Sequence, residues 1–342
     1  MSEWKEYKLG DLISIKYGKD HKGLNDGPYP VYGSGGVMRY ADKYLYDKES
    51  ILIPRKGSLN NIFYQDRAFW TVDTMFWSEI DTTKVFPKFL YYQLTLVDFE
   101  NLNVGSAVPS LTIPIINDVD VSLPPLDEQK RIAGVLSSLD DKIDLLHREN
   151  ATLEALAETL FRHYFIENPD PTWKEGKLGE LIEVKYGKDH KKLGDGRIPV
   201  IGSGGIMRYA DKALFDRESV LIPRKGSLDN VMYIDEPFWT VDTMFYTKMK
   251  KAHVAKFVYQ FIKTLDLVNM NVGSAVPSMT TEVLNNVPLE IPSQTALDDY
   301  DRIVTPVYMK IKFNQQQMQT LVTQRNTLLP RLMSGEVKVV VQ

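Results

Sequence analysis

The chain is organised around residues 126–165, LDEQKRIAGVLSSLDDKIDLLHRENATLEALAETLFRHYF. Their mostly apolar stripe alternates steps of four and three: Ile132, Leu136, Leu139, Ile143, Leu146, Asn150, Leu153, Ala157, Leu160 and Tyr164. The spacing averages 3.5 residues, the coiled-coil period, so the stripe stays on one helix face. It predicts a helix roughly 50 Å long that needs a partner. The alternative is helix packing inside a globular core, but the length of the heptad run favours a coiled coil.

Composition sets broad limits on the class of protein. A length of 342 residues predicts two or three domains, and the absence of cysteine excludes disulfides and cysteine-based zinc sites. The sequence has neither an apolar signal core at its start nor an apolar run of membrane-spanning length, which predicts a cytoplasmic protein. The net charge is −4, and residues 126–168 alone hold nine acidic and five basic side chains. The remainder is therefore balanced and can still present basic surfaces to a polyanion.

An internal repeat is the most informative feature. Residues 4–76 match residues 173–245 at a constant offset of 169, with 53 of 73 positions identical. After a one-residue deletion the match resumes at 103–110 and 271–278. Apolar runs at 50–53 and 220–222, bounded by turn residues, predict strands, and residues 89–96 and 257–265 have helical spacing. Each copy therefore predicts a mixed α/β domain of about 120 residues.

A second long helix is predicted after the second domain. Its stripe alternates steps of three and four: Val304, Val307, Ile311, Asn314, Met318, Leu321, Arg325, Leu328 and Leu332. Pro330 is expected to kink or end this helix. Each stripe carries one asparagine, Asn150 or Asn314, which could fix the register of a coiled coil. Whether the two asparagines face each other stays open at this stage.

The predicted fold is α+β, with two similar domains separated by two long helices that pair as an antiparallel coiled coil with pseudo-two-fold symmetry. The predicted segments are 1–125, 126–168, 169–293 and 294–342. The predicted seam comprises Leu139, Ile143, Leu146, Asn150, Leu153, Ile311, Asn314, Met318, Leu321 and Leu328. Two near-identical domains on a rigid spacer suit a ligand that is itself two-fold, as duplex DNA is.

Four motifs make the chain resemble the specificity subunits of type I restriction–modification systems. They are WKEYKLG at 4–10 with its copy WKEGKLG at 173–179, GSAVPSL at 105–111, LPPLDEQKRI at 123–132 and LLPRLMSGEV at 328–337. The third motif is the most specific, matching the junction between a target-recognition domain and a spacer helix. The second junction, IPSQT at 291–295, lacks the PPL and EQ of that motif, which leaves the start of the second helix uncertain.

The resemblance implies a subunit without catalytic activity that binds double-stranded DNA and holds two methyltransferase (M) subunits. A restriction–translocase (R) subunit can join them. It places S-adenosylmethionine, ATP and Mg in the partner subunits and no cofactor or metal in this chain. The methylated atom would be adenine N6. The sequence also contains neither NPPY nor DPPY, the adenine methyltransferase motif, and its glycine-rich residues 33–36 lack the Lys-Ser or Lys-Thr of a P-loop.

Basic, small polar and aromatic residues that occur in both repeats are the candidate DNA contacts. Phosphates attract lysine, arginine and small polar groups, whereas arginine is the commonest reader of guanine. In the first repeat the candidates are Lys16, Lys19, His21, Lys22, Ser34, Arg39, Tyr40, Arg55, Lys56 and Ser58. In the second they are Lys185, Lys188, His190, Lys191, Ser203, Arg208, Tyr209, Arg224, Lys225 and Ser227. The competing interpretation is that these stretches are solvated turns, and Trp70 is expected to pack in the core.

If both domains read the same bases, the target is an interrupted palindrome or nearly so, with half-sites about one helical turn apart. Differences such as Tyr32/Ile201, Asn60/Asp229 and Gln65/Ile234 could alter one base. Three alternatives stay open: a restriction enzyme of another type with the same kind of subunit, a bivalent protein- or carbohydrate-binding scaffold, and a standalone nuclease.

Overall fold

The computed structural model describes residues 4–103, 109–270 and 278–339. The chain forms two compact units, one of residues 1–145 with 317–342 and the other of residues 146–316. Each unit therefore combines one copy of the repeat with part of both long helices. Most of the predicted glycine–serine segments, residues 105–108 and 271–277, lie outside the described residues.

The first domain is rich in short strands. In chain order they are β1 Lys5–Lys8, β2 Ile13–Tyr17, β3 Tyr29–Gly33, β4 Gly36–Ala41, β5 Ser50–Pro54, β6 Phe63–Gln65, β7 Trp70–Thr71, β8 Met75–Ile80 and β9 Asp120–Leu123. Two short helices, α1 Pro87–Leu94 and α2 Ile113–Asn117, precede β9, and a 3₁₀ turn at Leu9–Asp11 follows β1. The expected strand and helix of the repeat are therefore present. The helix begins two residues before the predicted stretch because Pro87 occupies its first turn, where proline is favoured.

The described residues of this domain form three small sheets. A four-stranded antiparallel sheet has the order β2-β8-β5-β6, and a three-stranded sheet has the order β4-β3-β7, in which β3 and β7 run parallel. Strands β1 and β9 pair antiparallel and close the domain. All five residues of β5 are buried, which explains its continuous apolar run. The turn between β3 and β4 ends at Gly36, whose φ of +111° favours glycine.

The long helix α3, Leu126–Arg162, follows the first domain and ends in a π-helical turn at His163–Glu167. Its 37 residues span about 55 Å at the α-helical rise. The side chain of Gln129 explains how the LPPLDEQ motif joins domain and helix. Its Oε1 accepts a hydrogen bond of 2.8 Å from the Phe86 N–H, and its Nε2 donates one of 2.8 Å to the Pro124 carbonyl.

The second domain repeats the first, element for element. Its strands are β10 Lys174–Lys177, β11 Ile182–Tyr186, β12 Ile198–Gly202, β13 Gly205–Ala210, β14 Ser219–Pro223, β15 Met232–Ile234, β16 Trp239–Thr240, β17 Met244–Met249 and β18 Pro288–Ile291. Its short helices are α4 Ala255–Lys263 and α5 Thr281–Asn285. The sheet orders β11-β17-β14-β15, β13-β12-β16 and β10-β18 reproduce those of the first domain.

The second long helix, α6, spans Gln294–Met333 and is 40 residues long. It therefore starts inside the IPSQT stretch that the sequence left uncertain. It continues three residues beyond Pro330 and ends before Gly335, whose φ of +72° and N–H bond to the Leu332 carbonyl terminate it. The predicted segment 294–342 is thus helical only to Met333 within its described part.

The two long helices pair antiparallel inside each unit. In the second unit Asn314 Nδ2 donates a 2.8 Å hydrogen bond to Asn150 Oδ1, and the rings of Phe161 and Tyr300 lie 6.4 Å apart. A later residue of α3 therefore faces an earlier residue of α6, so the two helices run in opposite directions. In the first unit Arg325 Nη1 donates a 2.8 Å hydrogen bond to Asp140 Oδ1, in the same sense.

Both helices contribute their stripes to the core of each unit. In the first unit Ile132, Leu136 and Leu332 are buried in the main cluster of the domain, with Phe89 among its members. In the second unit Tyr300 and Val304 take the places that correspond to Ile132 and Leu136 beside Phe257, and Ala157 is buried in the same cluster. Burial of a large apolar side chain contributes about 1.5–3 kcal/mol, so each domain and its helical pair stabilise one another. Among the described residues, no helix combines the length and apolar character needed to cross a bilayer.

We expect the Asn150–Asn314 hydrogen bond to appear as a coupling energy. Asn314 is fully buried, so the single substitution Asn150→Leu leaves the Asn314 side-chain amide without its acceptor. This loss should destabilise the protein by about 1–3 kcal/mol. The double Leu variant removes both polar groups and should recover that loss. Thermal denaturation of the four proteins in the double-mutant cycle measures the effect, and strictly additive losses would contradict it.

Candidate nucleic-acid interface

A short loop after the second strand of each domain is held on the parallel strand β7 or β16. The Lys19 N–H donates to the Thr71 carbonyl at 2.8 Å, and the Trp70 indole N–H donates to the Lys19 carbonyl at 2.9 Å. The copies Lys188, Thr240 and Trp239 make the same bonds at 2.8 and 2.9 Å. Trp70 is thus partly buried and structurally engaged, as expected.

Only glycine fits at the start of this loop. A Cβ added at Gly18 would lie 2.0 Å from the Val72 carbonyl oxygen, and one at the copy, Gly187, would lie 2.0 Å from the Val241 oxygen. The close approach brings the loop next to the segment that follows β7. The next residues form an Asx turn, in which the Asp20 carboxylate accepts the Lys22 N–H at 3.1 Å.

A cleft of about 640 Å³ opens where this loop, the turn between β3 and β4, and the segment after β7 meet. The second domain has a matching cleft of about 780 Å³. The first cleft is lined by Asp20, His21, Lys22, Gly33, Ser34, Gly35, Met38, Val72, Asp73 and Thr74. The second is lined by the identical residues Asp189, His190, Lys191, Gly202, Ser203, Gly204, Met207, Val241, Asp242 and Thr243.

The cleft offers both donors and acceptors. Lys22 and the exposed Gly35 lie at its surface, and the small residues of the turn leave backbone within reach of a ligand. The Nδ1 atoms of His21 and His190 are buried and have no hydrogen-bond partner. In the second domain, the Lys191 N–H bond to Asp189 lowers the pKa of that carboxyl group, so the group stays negatively charged at neutral pH. Such a mixed lining suits polar recognition by hydrogen bonds better than simple charge attraction.

The basic turn after β5 lies beside the cleft. Arg55 places its guanidinium carbon 5.3 Å from the Tyr17 ring centroid, and its Nη1 donates to the Asp73 carbonyl at 3.3 Å. Arg224 repeats both contacts, at 5.3 Å from Tyr186 and 3.2 Å from the Asp242 carbonyl. These contacts orient a half-buried arginine while leaving most of its N–H groups for a ligand.

The same turn is tied to the cleft through Ser34. Gly57 has a φ of +91°, and a Cβ added there would lie 2.8 Å from Ser34 Oγ. The Asn61 amide donates to the Ser34 carbonyl at 2.8 Å, as the Asn230 amide does to Ser203 in the second domain. Lys56 and Ser58 are exposed next to this contact, as are their copies Lys225 and Ser227.

The described end of the glycine–serine segment contacts the basic turn after β5. The Leu111 N–H donates to the Arg55 carbonyl at 2.9 Å, and Lys56 forms a bridge with Ser110. In the second domain Met279 and Ser278 make the corresponding contacts with Arg224 and Lys225.

Four predicted contact residues, two in each repeat, bond to other groups of the chain in the structure. Arg39 pairs with Asp26 at 2.7 Å and donates to the Leu24 carbonyl at 3.2 Å, so it braces the 19–27 loop from inside. Its copy, Arg208, donates to the Leu193 carbonyl at 2.7 Å. Lys16 and Lys185 lie on β2 and β11 and pair with Glu79 and Glu183. None of the four lines the clefts.

Exposed tyrosine and methionine side chains occur in the cleft or on the strands next to it in both domains. The predicted Tyr40 and Tyr209 are 55% and 43% exposed. Tyr17, Met38 and their copies Tyr186 and Met207 are between 52% and 58% exposed but were not predicted as contacts. Their identity in both repeats was a usable signal, and the two tyrosines also support the arginines of the basic turns, whose guanidinium groups lie over their rings.

The predicted seam residues lie between the helices or at their edges. Leu146, Asn150, Ile311, Asn314 and Met318 are buried, and Leu139, Ile143, Leu153, Leu321 and Leu328 are half-buried. Among the described residues, no cluster of three or more His, Cys, Asp or Glu side chains could hold a metal ion.

Comparison with known proteins identifies the family. The family model described as the type I restriction modification DNA specificity domain matches the chain twice, over residues 1–155 and 171–321. The chain belongs to the family of type I specificity subunits. Each match contains one of the two clefts, so the repeated unit is the family's DNA specificity domain.

Individual specificity subunits are distant relatives. The MjaIX specificity subunit of Methanocaldococcus jannaschii is 24% identical over 389 residues, covering 98% of this chain and 89% of the relative. A putative type I specificity subunit of Mycoplasma pneumoniae, S.MpnORF285P, is 30% identical over 144 residues, covering 39% of this chain and 47% of that protein. The crystal structure of a type I S subunit from M. genitalium has a TM-score of 0.70 at 18% identity and covers 99% of this chain and 97% of that one, which confirms the fold.

Gly18 provides a test of the loop geometry in this specificity subunit. The clash of a Cβ with a backbone oxygen means that Gly18→Ala must displace the loop or the segment after β7, at a cost of about 1–3 kcal/mol. Gly23→Ala, in the same loop, meets nothing within 4 Å and is the matched control. Thermal denaturation should separate the two variants, and equal melting temperatures would contradict the packing described.

Proposed function

We propose that the chain is the non-catalytic DNA-recognition subunit of a type I restriction–modification complex and binds a bipartite target in duplex DNA. Each domain reads one half-site with its cleft and the adjoining basic turn. One observation carries this proposal: the same glycine-lined cleft, with identical lining residues, occurs in both domains. Two identical polar sites in a DNA specificity family are explained most simply by two equivalent segments of DNA.

The contacts divide by chemistry. Arg55 and Arg224 present oriented guanidinium groups and would read guanine, for which a bidentate contact contributes about 1–3 kcal/mol of discrimination. Exposed lysines and hydroxyl groups would contact phosphates and set the register of the duplex. In the first domain these are Lys19, Lys22, Ser34, Lys56 and Ser58, and their copies act in the second. Arg39 and Arg208 would support the loop.

The proposed target is a near-palindrome with an unread spacer. Two of the three differences noted between the repeats lie away from the clefts, because Ile201 and Ile234 line a separate cavity against α6. The third difference, Asn60 against Asp229, lies two residues beyond the exposed serine of the basic turn, so it is the one of the three that could change a base. A near-palindrome consists of two inverted half-sites, one for each copy of the cleft.

The long helices would hold two methyltransferase subunits, one for each domain. Their exposed faces support this role. Leu145 on α3 is 47% exposed and Phe313 on α6 is 57% exposed, and they occupy equivalent positions, 168 residues apart. The methyl transfer to adenine N6, with S-adenosylmethionine, and any ATP- and Mg-dependent cleavage by a further subunit would belong to those partners.

A bivalent protein- or carbohydrate-binding scaffold is not favoured, because both repeats match the DNA specificity family. Salt-insensitive or absent DNA binding by the assembled complex would restore that alternative, since phosphate contacts make binding strongly dependent on salt.

Removal of either base-reading arginine should weaken specific binding. Arg55→Ala and Arg224→Ala are each expected to cost about 1–3 kcal/mol, to similar extents because the two sites match. Binding of the complex with its methyltransferase to a duplex carrying the recognised motif is the measurement. Arg67→Ala is the control, because it removes an exposed arginine of the first domain that belongs to neither a cleft lining nor a basic turn. Wild-type affinity in both the Arg55 and the Arg224 variant would refute the assignment.

Substitution of the exposed helix residues should change the stoichiometry of the complex. Leu145→Glu or Phe313→Glu buries a charge in one proposed interface, so each variant should retain one methyltransferase subunit and the double variant none. Gln319→Glu, at an exposed polar position of α6, is the control. Native mass spectrometry measures the stoichiometry, and two bound subunits in the double variant would exclude this surface.

A further inference from the structure

The second unit contains a cavity of about 300 Å³ between the domain and the helical pair. Its volume is at the lower end of the range for small-ligand pockets. The lining includes Ala157 of α3, Tyr308 of α6, and Met232, Tyr233 and Tyr259 of the second domain. Every lining residue lies within the second unit.

The first unit shows what occupies the equivalent place there. Tyr92 donates a 2.6 Å hydrogen bond to Asp140, and Gln260 donates a 2.8 Å bond to Tyr308, so these contacts correspond at an offset of 168. Arg325 donates to Asp140 at 2.8 Å. The same offset places Ala157 at the position that corresponds to Arg325. It also places Tyr308 at the position of Asp140, so the second unit lacks both members of the Arg325–Asp140 ion pair and has Ala157 and Tyr308 in their place.

Two other exchanges enlarge the space. The first unit has Tyr32 and Phe63, with rings 5.5 Å apart, where the second has Ile201 and Met232. Large-to-small exchanges leave a cavity when the surroundings do not collapse. Here the surroundings are held apart by aromatic contacts, since the ring centroids of Tyr233 and Tyr308 lie 5.0 Å apart and those of Tyr259 and Tyr308 lie 6.1 Å apart.

The lining is suited to a cation. Three tyrosine rings present π faces or edges, and the exposed Glu154 adds a carboxylate. Burial, and then the negative charge of Glu154, raises the pKa of Tyr259 to about 12. Of the two lysines at the cavity, Lys312 is paired with Asp235 and Glu236, and Lys263 lies 5.5 Å from the Tyr259 ring. The Tyr259 ring thus already has a cation, the Lys263 ammonium group, beside it.

We propose that this cavity is a binding site for a guanidinium group, which would stack against Tyr308 and pair with Glu154. The ligand is an arginine, either as the side chain of a protein partner or as the free amino acid. In the first unit Arg325 lies at the equivalent site and is held by Asp140, whereas in the second unit Glu154 would supply the carboxylate for an arginine from outside. The site is separate from the DNA clefts and does not depend on the proposed DNA recognition.

Calorimetric titration of the full chain with N-acetylarginine methylamide tests the proposal. The matched probe is N-acetylcitrulline methylamide, which has nearly the same shape and no charge. We expect the arginine derivative to bind at least about tenfold more tightly, which corresponds to about 1.4 kcal/mol. Equal affinities, or no binding of either probe, would overturn the proposal.

Two variants locate the binding. Ala157→Arg supplies the missing side chain and should abolish binding while keeping or raising the melting temperature. Ala155→Arg, at an exposed position two residues earlier on α3, should bind like the wild type. If Ala157→Arg does not fold, Glu154→Gln decides, because it should lower the affinity for the arginine derivative to that for citrulline. Unchanged arginine binding in Glu154→Gln would place the ligand elsewhere and refute the site.

A titration with free arginine distinguishes a protein partner's arginine side chain from the free amino acid as the ligand. Its α-amino and α-carboxylate charges are absent from an arginine side chain in a protein. Tighter binding of the blocked derivative supports a protein partner, and tighter binding of free arginine supports the amino acid as ligand. DNA binding by the Ala157→Arg protein is expected to equal that of the wild type.

Discussion

The apolar stripe of each long helix must be covered, and the rest of the structure depends on this constraint. A helix of 37 or 40 residues with one apolar face cannot stay solvated alone. Each helix covers its stripe with the other helix and with the core of a domain. The domains therefore share their cores with the helices. Ile132 and Leu332 belong to the core of one domain, and Ala157 and Val304 belong to that of the other.

The antiparallel sense of the pairing gives each unit the beginning of one helix and the end of the other. Polar contacts set the register inside the seam. Asn150 and Asn314 do so in one unit, and Asp140 with Arg325 in the other. Lys256 adds a buried contact from domain to helix in the second unit, at 2.8 Å from Asp301 and 3.0 Å from Glu218. Burial lowers the pKa of Lys256, but its bonds to these carboxylates outweigh that effect and raise the pKa above its ordinary value.

The two repeats agree at every residue that lines the clefts and differ at several residues that line the cavity of the second unit. The cleft residues are identical in both copies, and so is the close approach of Gly18 and Gly187 to a backbone oxygen. At that cavity Ile201 stands in place of Tyr32 and Met232 in place of Phe63. The clefts are therefore shared by the two domains, whereas the cavity is a feature of the second.

The sequence predicted the repeat, both long helices and the α+β class, because these leave periodic or duplicated patterns. It did not predict that β3 and β7 pair in parallel, since two-residue strands such as β7 carry no pattern of their own. Arg39 stays a predicted DNA contact, and the structure adds that its side chain bonds to Asp26 and to the Leu24 carbonyl. Composition cannot separate a basic side chain that faces solvent from one that pairs internally. The cavity of the second unit could not be foreseen, because it depends on which residues of two distant helices meet.

The most direct test of the account is a map of N6-methyladenine in DNA. The chain would be expressed with its methyltransferase in a host free of such methylation, and the modified motif read by sequencing. Two identical clefts predict a split motif whose half-sites are inverted copies, differing by one base at most. Two unrelated half-sites would contradict the claim that the matching clefts read the same bases.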